Sequence, residues 1–152
     1  MTAVEIRHAR IEEAGDIAEV WLRSRAASAP DIPLPVHTDE DVRTWFATVV
    51  VPTREVWVAE VEGTVVAVLV LDGTWIDQLY VAPGHTGQGV GTQLVSLAKA
   101  HRPHGLRLWT FQANERARRF YERHGFMPVE TTDGDNEEGA PDVRYEWRPT
   151  VR

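Results

Sequence analysis

Residues 83–91 read Pro83-Gly84-His85-Thr86-Gly87-Gln88-Gly89-Val90-Gly91, four glycines in eight positions between two patterned stretches. Ahead of them, Trp75 to Val81 is a β-branched and aromatic run with the look of a strand. Behind them, Val90, Leu94, Leu97, Ala98 and His101 share one helical face. A strand, a glycine-rich turn and a helix N-terminus bring backbone N–H groups to one spot, reinforced by the positive end of the helix dipole. That is chemistry for a phosphate. The turn is not a Walker A loop, because no Gly-Lys-Ser/Thr follows. Nor is it the dinucleotide fingerprint, which needs glycine where Thr92 stands. Glycine spacing alone leaves a second reading open, a turn built only for tight packing.

Working outward, Val4 to His8 alternates as a half-buried strand does, and Ile17, Val20, Trp21 and Ser24 form a helical stripe. Thr38 is placed to cap a second helix carrying Val42, Trp45, Phe46, Val49 and Val50, which Pro52 is expected to stop. Val56 to Val61, Thr64 to Leu71 and Trp75 to Val81 then follow as three strands in a meander, separated by Glu62-Gly63 and Asp72-Gly73-Thr74. After the helix that opens at Val90, Leu106 to Phe111 is again strand-like. With a helix between them, the strands ending at Val81 and Phe111 are expected to be parallel. Asn114 is a natural N-cap for a fourth helix and Gly125 its C′ residue. Phe126 to Glu130 and Val143 to Trp147 supply the closing strands.

The chain has 152 residues, no cysteine, and 16 Lys plus Arg against 23 Asp plus Glu, for a formal charge of −7. These figures suit one domain over residues 1–152 and exclude disulfides, thiolate nucleophiles and cysteine metal ligands. The negative balance speaks against a nucleic-acid partner, whose phosphates demand a dense cationic surface. The first residues lack the apolar run of a signal peptide and no later stretch would span a membrane, so a cytoplasmic location is expected. The three serines, Ser24, Ser28 and Ser96, stand outside any nucleophile-elbow context.

Leu79-Tyr80-Val81-Ala82-Pro83 before the turn, and Asn114-x-x-Ala117-x-x-Phe120-Tyr121-x-x-x-Gly125-Phe126 after it, resemble the GNAT superfamily of acyl-CoA N-acyltransferases. The pyrophosphate loop of that family reads Gln/Arg-x-x-Gly-x-Gly/Ala. Here Thr86-Gly87-Gln88-Gly89-Val90-Gly91 matches at the glycines and departs at Thr86. The resemblance implies an α/β fold: a mixed, mostly antiparallel sheet of six to seven strands flanked by about four helices, with a splayed parallel pair. It implies acetyl-CoA as the acyl donor and no metal. The pyrophosphate would lie on Gly87 to Thr92, the pantetheine arm along Leu79, Tyr80 and Val81, and Asn114 and Ala117 would contact the donor. A backbone N–H of that strand would face the thioester oxygen and stabilise the developing oxyanion.

Acyl transfer to an amine also needs an acid and a base. The resemblance places Tyr121 as the acid that serves the departing thiolate. Asp77 is the base candidate, since alternation would put residues 75, 77 and 79 on one face near the thioester. The same carboxylate also suits a structural hydrogen bond or one end of a water chain. Trp45, Trp75, Trp109 and Phe111 are candidates for an aromatic acceptor wall, and Asp133, Asp135, Glu137, Glu138 and Asp142 make the last loop acidic, a combination suited to a cationic amine. Arg116, Arg119 and Arg123 line one side of the fourth helix, within possible range of the 3′-phosphate of CoA. The reading is an N-acetyltransferase acting on a small primary amine by direct attack, with a homodimer possible. Its rivals are a non-catalytic acyl-CoA sensor and an acetyltransferase with a macromolecular acceptor.

Overall fold

The computed structural model describes residues 3–29 and 32–150. Seven strands form one sheet in the order β1-β2-β3-β4-β5-β7-β6. They are β1 (Val4–His8), β2 (Glu55–Val61), β3 (Thr64–Asp72), β4 (Trp75–Val81), β5 (Leu106–Phe111), β6 (Met127–Thr132) and β7 (Asp142–Trp147). The helices are α1 (Ala14–Ala27), α2 (Asp39–Trp45), α3 (Val51–Thr53), α4 (Val90–His101) and α5 (Glu115–Arg123). Every pairing is antiparallel except β4 with β5. This is the mixed sheet with one parallel pair that the sequence led us to expect.

The β2–β3 turn shows why the meander forms. Glu62 and Gly63 both adopt positive φ, 51° and 81°, the two-residue turn whose twist matches that of the strands it joins. β3 is buried from Val66 to Leu71, so both faces of the sheet are covered there. On one face α4 and α5 pack Leu94, Val95 and Tyr121 over Leu69, Leu71 and Leu108. On the other, α1 packs Ile17 and Trp21, and the helical stretch that follows α2 packs Phe46, over Val58, Val68 and Val70.

Pro52 does not stop the second helix. α2 passes into a π-helical stretch, Phe46–Val50, and continues through α3 with Pro52 inside the last turn. Proline lacks an N–H and its ring crowds the carbonyl four residues back, and the wider π turn relieves that crowding. Two hydroxyls add bonds to carbonyls of the same helix, Thr48 donating to Thr44 O at 2.7 Å and Thr53 to Val49 O at 2.5 Å. The predicted caps form as expected, with Asp41 N–H donating to Thr38 Oγ1 at 3.1 Å and Ala117 N–H to Asn114 Oδ1 at 3.1 Å.

Two departures from regularity shape the centre of the sheet. β4 and β5 pair only at Trp75 and Arg107, and beyond that point the strands part. β4 also carries a bulge: Val70 faces Gln78 but Leu71 faces Ile76, so Asp77 is the extra residue. Both fall in the first half of β4, beside the cavities that open where the strands part.

Candidate active site

Where β4 and β5 part, a cleft of about 710 Å³ opens between the end of β4, the glycine turn and α5. A narrower recess of about 100 Å³ lies against the β5 side, walled by Asp77, Gln78, Trp109 and Phe111. Leu79, Tyr80, Asn114, Ala117 and Tyr121 border both. The two spaces therefore meet along one wall, and Tyr121 stands at their junction.

The turn has the conformation its glycines suggest. Gly87 and Gly89 sit at φ of 76° and 84°, in the left-handed region that side chains rarely adopt. α4 starts at Val90, and Gln93 N–H donates to the C=O of its N-cap, Gly89, at 3.1 Å. The N–H groups before Gln93 thus reach the cleft without helical partners, as at any helix N-terminus. Gly91 has ordinary φ and a different reason to be glycine: a Cβ there would stand 3.2 Å from Phe120 Cζ.

Most of the predicted donor-site residues line the cleft: Leu79, Tyr80, Val81, Asn114 and Ala117, and from the turn Thr86, Gly87, Gly89, Gly91 and Thr92. Two do not. The Val90 side chain is 1% exposed and belongs to the core beneath α4, while Gln88 is exposed and reaches back to Gly84 C=O at 3.4 Å. Among lining residues the sequence did not single out, Ser24 ties α1 to the end of β4 by donating to Val81 C=O at 2.9 Å. Arg116, Arg119 and Arg123, three and four residues apart on α5, all border the cleft.

Tyr121 is held by the way α5 ends. Gly125 takes φ of 87°, its N–H donates to Glu122 C=O, and Phe126 N–H donates to Tyr121 C=O at 3.0 Å. This is a Schellman closure, and it folds Phe126 back onto the Tyr121 ring at 5.5 Å between centroids. Phe120 and Tyr145 flank the same ring. The residue is 8% exposed and borders both the cleft and the recess, and among the described residues its hydroxyl makes no hydrogen bond. Burial, with a smaller contribution from the Tyr80 phenol, holds its pKa well above the ordinary phenol value.

The bulge corrects the expectation that residues 75, 77 and 79 share a face. Ile76, Leu79 and Val81 all pack into the α4/α5 core, whereas Asp77 and Gln78 turn the other way. Asp77 Oδ2 accepts from Arg54 Nη1 at 2.5 Å, and Gln78 Oε1 accepts from Trp21 Nε1 at 3.0 Å. Indole nitrogen only donates, so the Gln78 amide nitrogen points away from Trp21. Asp77 borders the recess all the same.

The expected acceptor wall is halved. Trp109 and Phe111 line the recess, but Trp45 lies under the Arg54 guanidinium at 5.5 Å and Trp75 under that of Arg107 at 4.7 Å. The acidic loop is also largely committed to the fold. Asp142 binds Thr132 and Asn136, Glu137 meets His37, and Glu138 lies 3.7 Å from the buried Arg25.

Over residues 52–128 the chain matches the family model for the acetyltransferase (GNAT) domain. It is 30% identical over 135 residues to the peptidyl-lysine N-acetyltransferase YjaB of Escherichia coli K12, covering 88% of each chain. The chain belongs to the GNAT acetyltransferase family. A second relative of this GNAT enzyme, the peptidyl-lysine N-acetyltransferase YiaC of the same organism, is 29% identical over 126 residues, 82% of this chain and 84% of that one. The solution structure of apo YjaB from Escherichia coli superposes with a TM-score of 0.78 at 26% identity, covering 95% and 97% of the two chains. The acyltransferase activity and acetyl-CoA donor expected from the sequence are those of this family. Among the described residues, no helix of this GNAT protein is long and apolar enough to cross a membrane.

Proposed function

We propose that this chain transfers acetyl from acetyl-CoA to the side-chain amine of lysine in a peptide or protein, with Tyr121 as acid and Asp77 as base. The observation that carries the reading is the junction of two unequal spaces at Tyr121. The wide cleft offers unpaired N–H groups and arginines to a long anionic donor, and the recess has room for a slender alkylamine and little more. The acceptor departs from the small amine expected from the sequence. Support for lysine comes from the two peptidyl-lysine acetyltransferases it resembles and from the recess, whose aromatic walls and single carboxylate suit an aliphatic arm ending in a cation.

On this reading Gly87, Gly89 and the first turn of α4 hold the pyrophosphate by their N–H groups, and Arg116, Arg119 and Arg123 attract the remaining phosphate. The edge of β4 from Leu79 to Val81, which β5 does not pair and where Ser24 engages the Val81 carbonyl, binds the pantetheine arm. A lysine amine is almost entirely protonated at neutral pH and must lose a proton before it can attack. Asp77 receives that proton, directly or through a water, on the oxygen that Arg54 leaves free. As the new C–N bond forms, a β4 N–H carries the charge on the thioester oxygen. When the C–S bond breaks, Tyr121 hydrogen-bonds the departing sulfur, and the second proton that the new amide nitrogen sheds to water balances the one the thiolate takes up. The raised pKa of Tyr121 keeps the phenol protonated at every working pH, and makes its contribution a hydrogen bond that tightens as the thiolate departs.

The test is thiol release from acetyl-CoA against lysine-containing peptides, α-acetyl-lysine amide, polyamines, aminoglycosides and free amino acids. Release with the lysine peptides and their amide, at a kcat/KM well above that for the other amines, is expected. Release with one of the small-amine classes alone would return the acceptor to the small-molecule reading.

A further inference from the structure

The donor cleft borders a titratable group that the acid and base assignments do not use. His124 caps the C-terminus of α5, and its Nε2 lies 3.2 Å from Oγ1 of Thr92, in the first turn of α4. Thr92 lines the cleft beside Gly89 and Gly91. The imidazole is held in place from three directions. Its ring packs on Phe120 at 4.6 Å between centroids, while the residue's backbone carbonyl accepts from Lys99 Nζ at 2.5 Å and its backbone N–H donates to the carbonyls of Phe120 and Tyr121. Lys99 is the only lysine in the chain, and Phe126 and Trp147 box it in against this carbonyl.

We propose that His124 makes donor binding proton-linked: it takes up a proton as a pyrophosphate settles on the first turn of α4, and so frees the Thr92 hydroxyl to donate to that anion. The inference rests on the assignment of this turn as the pyrophosphate site. A neutral ring with its proton on Nδ1 leaves Nε2 as an acceptor, and Thr92 spends its single hydroxyl proton there. A doubly protonated ring donates from Nε2 into a Thr92 lone pair, and the hydroxyl proton can turn toward the cleft. One proton comes from solvent and no covalent bond changes.

Electrostatics runs the same way. The charged groups that bear on the imidazole are Lys99 from α4 and Arg123 on α5, both cations. Partial burial first, and these two cations after it, hold its pKa below the ordinary histidine value, so at neutral pH the free protein carries it neutral. A pyrophosphate on the adjoining turn offsets both cations and favours the imidazolium. Binding then strengthens as pH falls through the pKa of the complex, and the gain is complete below that of the free protein.

The probe is 3′-dephospho-CoA, which keeps the pyrophosphate and lacks the phosphate monoester that itself titrates near pH 6. Calorimetric titration between pH 5 and 8.5, in two buffers of different ionisation enthalpy, is expected to show net proton uptake and affinity that is a few-fold tighter at pH 6 than at pH 8 and approaches, toward pH 5, the roughly tenfold change that one unit of pKa shift gives at most. His124→Gln and Thr92→Val should each flatten the profile while still binding. Thr92→Ser, which keeps the hydroxyl, should retain it, as should His85→Gln, which removes the histidine that also borders the cleft. A flat profile in the unaltered protein, or a slope that survives His124→Gln, overturns the inference and leaves the donor site standing. No binding at any pH overturns the donor-site assignment and this inference with it.

Discussion

Asp77, the extra residue of the β4 bulge, gives one carboxylate oxygen to Arg54 at 2.5 Å, and Arg54 in turn lies over Trp45 and within 4.0 Å of Asp72. A flexible carboxylate at a recess wall is thereby held in one position, and among the described residues its Oδ1 makes no hydrogen bond. Replacing Asp77 by Asn should lower kcat about a hundredfold, the usual scale for loss of a positioned base, with donor affinity preserved. Arg54→Met should cost less in rate. It should also change stability by no more than about 1 kcal/mol, because the pair is partly solvated. Steady-state kinetics beside urea denaturation separates the two, and a stability loss without a rate loss in Asp77→Asn would make the pair purely structural.

For Tyr121→Phe, the packing against Phe126 and Tyr145 remains and only the hydroxyl is lost. We expect kcat to fall about a hundredfold or more with the dissociation constant for CoA unchanged. The raised phenol pKa adds a second expectation: the pH–rate profile of the unaltered enzyme should show no descending limb from this group below pH 10. Stopped-flow thiol detection across pH 6–10 checks both.

Two glycines of the turn should fail for different reasons. A Cβ on Gly89 meets nothing within 4 Å, but φ of 84° strains any other residue by about 1–2 kcal/mol. Gly89→Ala should therefore weaken CoA binding about tenfold, that energy expressed as affinity, unless the loop relaxes. Gly91→Ala keeps its backbone and pushes on the Phe120 ring, which touches Tyr121, so it should act on kcat more than on affinity. Titration with CoA and turnover measured on the same preparations distinguish them.

Far from the cleft, Glu13 accepts two hydrogen bonds from Arg7, at 2.8 and 2.7 Å, and a third from Arg10 N–H at 2.8 Å. The Arg7 guanidinium holds its carboxyl down, from 4.5 to about 2. A depressed carboxylate contributes stability that is fully present above pH 4.5 and is lost as pH falls toward 2, here about 3 kcal/mol in all. Urea midpoints between pH 6 and pH 2.5 should show that loss, and Glu13→Gln should remove this part of the slope.

Helices, caps and the glycine turn were legible in the chain because they are local. Asn114 caps the helix it precedes, Gly125 closes it, and the spacing of Gly87, Gly89 and Gly91 reports a backbone conformation and a close approach within a few residues. The motif pair around Tyr121 carried the family and the wall between the two cavities for the same reason. What a single strand cannot report is its register with a neighbour. The bulge at Asp77 is a mismatch of counting between β3 and β4, and it overturned a face assignment drawn from alternation alone. The partners that give residues their roles lie far along the chain: Arg54 for Asp77 at 23 residues, Thr92 for His124 at 32, Trp21 for Gln78 at 57. Tertiary packing likewise committed most of the acidic loop to internal partners, and let the second helix pass Pro52 by widening into a π turn. Local steric and hydrogen-bonding preferences act over a turn or two of chain and can be read there. Contacts chosen by packing depend on every other element being in place, so only the folded chain decides them.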